Sequence, residues 1–130
     1  MKVNNYQVWA RDLFSGACYA ACISYLQGGK TDPIDITRDI LNGVEKGYIS
    51  QDGYVSAPHL FANMCMGKER FYSDVRIKPY KSEIFHQIVC WEWDGKTHFN
   101  VMRNGKIVFD SWPNSDTVKN GKPVTVREFI

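Results

Sequence analysis

Apolar residues in the first half of the chain recur with the spacing of helices, and in the second half with the alternation of strands. Cys18, Ala21, Cys22, Tyr25 and Leu26 fall on one stripe, while Ala20 and Ile23 make the opposite side apolar too. A helix that is apolar nearly all round belongs inside a core. The spacing therefore predicts a buried helix from about Cys18 to Gln27, with Ser15 or Gly16 capping its start and Gly28-Gly29 ending it. A second helix is expected from Asp32-Pro33, a cap followed by proline at the first helical position. Ile36, Ile40 and Val44 give it an apolar face, and Gly47 closes it. Asp52-Gly53 marks a turn. A third helix follows Ser56, carries Leu60, Phe61, Met64 and Cys65, and stops at Gly67.

From Phe71 onward the pattern is that of strands, with candidates at Phe71–Lys78, Ile84–Trp93, Thr97–Arg103, Lys106–Trp112 and Pro123–Phe129. Asp94-Gly95, Asn104-Gly105 and Asn120-Gly121 separate the last four, and all three are hairpin dipeptides. Helices first and strands afterwards point to an α+β fold. The expected architecture is an antiparallel meander of four or five strands packed against the buried first helix.

At 130 residues the chain fits one domain, 1–130, with a single modest core. Hydrophobic residues at 44% and charged residues at 23% set it apart from disordered sequences. A net charge of +2 without any Lys/Arg run argues against nucleic acid as a partner. No apolar stretch reaches the length of a membrane span, and the start, Met1 to Tyr6, shows no apolar signal core. No membrane association and a cytoplasmic location are expected. There the four cysteines, Cys18, Cys22, Cys65 and Cys90, are expected as reduced thiols. Cys18 and Cys22, one helical turn apart, are a poor match to the spacing of structural zinc sites, so neither a metal nor another cofactor is expected.

Candidate chemistry begins at Cys18. A thiol in the first turn of a buried helix faces free backbone N–H groups and the positive end of the helix dipole, which favour its thiolate. Gly16 just before it lets a substrate come close to the backbone. His98 lies in the strand pattern Thr97 to Met102, and the return strand Ile107-Val108-Phe109-Asp110 brings a carboxylate back toward it. The connection Arg103 to Lys106 permits two registers. A two-residue Asn-Gly loop pairs His98 with Ser111, and a three-residue loop with a bulge at Gly105 pairs His98 with Asp110 directly. The second gathers Phe99, Val101, Ile107 and Phe109 on one apolar face, so core burial favours it. A carboxylate beside an imidazole fixes its tautomer and stabilises its cation, and the imidazole then takes the thiol proton. The candidate catalytic set is Cys18, His98 and Asp110. His59, in the first turn of the third helix, is expected at the surface. His86, placed in a strand, has no matching acid, and Cys22, Cys65 and Cys90 are expected in the core. Trp9, Trp91, Trp93 and Trp112 are expected mostly in packing roles.

Cys18-Tyr19-Ala20-Ala21-Cys22-Ile23 resembles the Cys-Gly-Ala-Ala-Cys-Leu stretch of the bacteriocin-leader-processing peptidases, a branch of the papain clan. His98-Phe99-Asn100-Val101 and Asp110-Ser111-Trp112-Pro113 are similar to that family's His-Phe-Val-Val and Asp-Pro stretches. The segment Asp52 to Ser56, leading into an apolar helix and Gly67, also fits. The resemblance covers roughly residues 12 to 113. It implies a papain-like fold, the order Cys, His, Asp for the triad, and an oxyanion hole built partly from a glutamine six residues before the nucleophile. Asp12 stands at that position here, and an ionised carboxylate donates no hydrogen bond. Gln7 is the replacement candidate, with the Cys18 N–H as the other donor. Tyr19 stands where the family usually has glycine.

The expected function is a cysteine peptidase or amide hydrolase working through a thioester, with a peptide or protein as substrate. Two other classes compete. One is a papain-like fold without catalysis that binds a peptide or partner, which Asp12 supports. The other is a cell-wall amidase of the NlpC type, which would be expected to carry an export signal or wall-binding module.

Overall fold

A computed structural model describes residues 16–130. Helix α1 runs Cys18–Leu26, α2 Pro33–Glu45 and α3 Pro58–Cys65; strands β1 Val75–Pro79, β2 Gln87–Trp93, β3 Lys96–Arg103 and β4 Lys106–Phe109 follow, then α4 Asp116–Asn120 and β5 Lys122–Phe129. The class is α+β, with helices packed on a five-stranded antiparallel sheet. Among the described residues no helix is long and apolar enough to cross a membrane.

The helical half follows its local signals. Asp32 caps α2, accepting from the Ile34 N–H at 2.7 Å, and Pro33 opens it. Ile36 and Ile40 are fully buried, each contributing about 1.5–3 kcal/mol of burial free energy. Gly43 makes the close contact between α2 and α3: a Cβ there would lie 2.8 Å from atoms of Ile49 and Phe61. Asp52-Gly53 turns the chain inside a loop closed by an Ile49–Val55 bridge. Leu60 departs from its expected inward place and is 37% exposed. At the start of α1 the cap residue is Ala17, not Gly16, and it offers no side-chain acceptor to the first turn; Ser15 lies outside the described residues.

The sheet is not a simple meander. Its order is β1-β5-β2-β3-β4, so β2, β3 and β4 form a meander while β5 crosses back to pair with β2 and carries β1 on its outer side. The hairpin turns at Asp94-Gly95 and Asn104-Gly105 form as expected, all four residues having positive φ. Asn120-Gly121 does something else. A short helix, α4, capped by Ser115, occupies the connection and ends there. The chain needs that length because β5 does not return beside β4.

α1 packs chiefly on β3. Tyr19 stacks on Phe99 with ring centroids 4.5 Å apart, and Tyr25 on Phe109 at 4.3 Å. The other sides of α1 face α2 and α3, so Ala20, Ala21, Cys22 and Ile23 are all at 0% exposure. The buried helix read from the sequence is therefore present. A second, smaller cluster of Val89, Met102 and Val126 packs apart from this core.

Candidate active site

The site forms where the first turn of α1 meets β3 beyond the end of β4. The last β3–β4 pair is Val101 with Phe109, so β3 continues past its neighbour toward His98. Here the expected register is corrected. The loop is the two-residue one, pairing Arg103 with Lys106 and Met102 with Ile107, and the ladder then slips so that Phe109 opposes Val101. Val108 is the extra residue, a β-bulge. The slip seats Phe109 in the core and leaves Ile107 and Val108 exposed at 40% and 43%. Asp110 then follows Phe109 and reaches His98 diagonally, not as its cross-strand partner.

Sequence reasoning paired His98 with Asp110, and the two do meet. His98 Nε2 lies 2.6 Å from Asp110 Oδ1, with the two side chains 6% and 5% exposed. The backbone N–H of Trp112 donates to the same Oδ1 at 2.9 Å. Asn100, fully buried, donates through Nδ2 to Asp110 Oδ2 at 3.2 Å and accepts at Oδ1 from the Trp91 indole at 2.8 Å. Asp110 therefore holds the Nε2 side of the imidazole. Nδ1 is the nitrogen this contact leaves over, and the Cys18 thiol interacts with the same imidazole. All three sequence-derived residues of the set come together.

The electrostatics follow from that geometry. Burial pulls the His98 pKa down, but hydrogen bonds to Asp110 and Cys18, and their charges, outweigh it and raise the imidazole to about 9. Cys22, one turn along α1, is pushed well up by burial, then by Cys18 and Asp110, so it stays a neutral packing thiol. Cys90 is also pushed up, first by burial. Cys22, Cys65 and Cys90 are buried, as expected, and all four cysteines are free.

Other expectations fall away from the centre. His86 precedes β2 and is exposed, so its placement in a strand is corrected; His59 is half-buried, not surface. Gln7, Asp12 and Trp9 lie outside the described residues. Gly16, with φ +72°, sits under the exposed ring of Tyr54, whose Cε1 is 3.6 Å from where a side chain would begin. Tyr19 keeps a buried hydroxyl that has no hydrogen-bond partner among the described residues, and burial raises its pKa. Sequence reasoning gave no place in the site to Asn100 and expected packing for Trp91. The available signal was a strand asparagine two residues beyond the histidine, on the same face, which must find a partner if buried. Among the described residues no group of His, Cys, Asp and Glu is placed to hold a metal ion.

An α+β domain with a buried Cys–His–Asp cluster at a helix start is thus the class that fold and site define. The chain belongs to the family described as a protein of unknown function, DUF261, whose model matches residues 1–130. No curated protein and no solved structure matches it.

Proposed function

We propose that the protein is a papain-like cysteine peptidase or amide hydrolase, with Cys18 as nucleophile, His98 as base and Asp110 as the group that orients the histidine. The observation that carries this reading is the 2.6 Å His98 Nε2–Asp110 contact, with the Cys18 thiol interacting with the same imidazole. Each step uses a group already in place. His98 takes the thiol proton at Nδ1, and the sulfur attacks the carbonyl carbon of an amide. The oxyanion accepts from the first-turn N–H groups of α1, which have no partner within the helix and receive none from Ala17. The C–N bond breaks as His98 returns the proton to the leaving amine, giving a thioester. Water, deprotonated by His98, then attacks the thioester, and the acid departs as Cys18 regains its proton.

The substrate class is a peptide or protein. Gly16 and the ring of Tyr54 form a surface two residues from the nucleophile where such a chain can lie. Four free cysteines support a reducing compartment such as the cytoplasm. Asp12, in place of the glutamine of the peptidases that the sequence resembles, favours a second reading, a binding module without turnover.

The test is the pH dependence of Cys18 alkylation by iodoacetamide, in the intact protein and in His98→Ala, read by peptide mass. Fast reaction at about pH 6 that slows sharply in the variant is the expected result. Slow reaction that rises only where ordinary thiols ionise, and ignores the substitution, overturns the hydrolase in favour of the binding module.

A further inference from the structure

We propose that Asn100 is a positioning residue for the Cys18–His98 pair, holding the Asp110 carboxylate in one plane, and that the indole of Trp91 dictates which end of the Asn100 amide faces that carboxylate. The inference rests on the catalytic reading of the site and extends it to residues that touch no substrate.

Asp110 receives its two closest contacts, from His98 and the Trp112 N–H, on a single oxygen. Contacts on one oxygen leave the carboxylate free to pivot about it. The Asn100 Nδ2 contact to the second oxygen removes that freedom. An amide has two ends, however, and a flipped Asn100 would set its oxygen against the carboxylate. Trp91 decides between them. Indole Nε1–H only donates, so it bonds to the amide oxygen and repels the NH2 group. The flipped state loses both hydrogen bonds and opposes like groups at both ends.

The ladders on both flanks of this relay are irregular. β4 carries its extra residue immediately before Phe109 and Asp110, and the β2–β5 ladder shifts register between Cys90 and Trp91. The two irregularities lie on opposite sides of β3: the first is on the strand that leads into Asp110, and in the second the extra residue is Val124 of β5, across the ladder from Trp91. A bulge gives up regular ladder pairing and re-aims a side chain, and bulges cluster next to functional sites for that reason. A core serving packing alone could fill these positions with apolar residues and keep both ladders regular. Among the described residues the titratable groups around the relay are His98, Asp110 and Cys90 from the sheet side and Cys18 and Cys22 from α1.

The experiment compares the rate of Cys18 alkylation by iodoacetamide in the wild-type chain, Asn100→Ala and Trp91→Phe, at low and high pH. Phenylalanine keeps most of the ring and removes only the donor, which guards against simple loss of folding. At about pH 6 the expected fall is about tenfold for Asn100→Ala and two- to fivefold for Trp91→Phe, as a looser carboxylate lets the imidazolium go. At about pH 10, where thiols ionise unaided, both variants should lie within about twofold of the wild type. Rates within about twofold at both pH values, even with a lowered unfolding midpoint, would mean that Asn100 and Trp91 only fill the core, and so would an equal fall at both pH values. A wild-type profile that follows an ordinary thiol and ignores His98→Ala overturns the catalytic reading itself, which distinguishes the two failures.

Discussion

The two ends of α1 lie beside cysteines with opposite surroundings, Cys18 of its own first turn and Cys65 at the end of α3. At its N-terminal end Cys18 meets an imidazole, first-turn N–H groups that Ala17 leaves uncapped, and a carboxylate one step removed. Near its C-terminal end Ser24 donates to Asp39 at 2.7 Å, Lys30 bridges Asp39 at 3.0 Å and the Cys65 carbonyl at 3.1 Å, and the Cys65 thiol lies against the same Asp39. Burial, then the Asp39 charge and hydrogen bond, push the Cys65 thiol well up, so it stays neutral. Both clusters are polar networks joining elements distant in sequence, the first buried and the second partly buried. One places a base beside its sulfur and the other an acid. That difference, not burial or residue type, separates a candidate nucleophile from a structural thiol.

The comparison breaks most visibly at His98. His98→Ala should slow Cys18 alkylation at about pH 6 by about a hundredfold, the lower end of what a general base contributes. It should leave the Cys65 end intact, as unchanged Cys65 labelling on the same peptide map would report. Next is Asp39→Ala, which strips Lys30 and Ser24 of their acceptor and should cost about 2 kcal/mol in urea unfolding. Its effect on Cys18 alkylation should be nil, and a matching fall there would mean the two networks are not independent.

A finer measure is the ratio of Cys18 to Cys65 labelling in the wild-type chain at about pH 8, expected above about tenfold. Equal labelling would erase the distinction. The smallest effect is on stability against pH. The folded pKa of His98, about 9, lies above its ordinary 6.5. Its contribution is therefore whole below about pH 6.5 and is lost as pH rises through about 9. Denaturant midpoints should fall across that window, and His98→Gln should flatten the slope.

Much of the molecule was legible because local rules govern it. The Asp32-Pro33 cap, the stripe of α1, and the turns at Asp94-Gly95 and Asn104-Gly105 each depend on residues a few positions apart, and each forms. The Asn120-Gly121 dipeptide carried the same signal and misled, because whether it turns a hairpin depends on where β5 finds its partner. The register between β3 and β4 misled similarly. Core burial was the right criterion, but Phe109 satisfied it through a bulge at Val108 that no dipeptide announces. Asp110 reached His98 all the same, because both had to sit at the end of that hairpin.

By itself the sequence determined the α+β class, the buried helix that begins at Cys18, and the three residues most able to act together, since helix period, strand alternation and hairpin turns are written in short spacings. Only the tertiary structure decided the strand order, the two bulges, the Trp91–Asn100–Asp110 relay and the opposite surroundings of Cys18 and Cys65. Those depend on which side chains from distant segments compete for the same buried space, and on polar groups finding partners once water is gone. Such long-range choices leave no periodic trace along the chain.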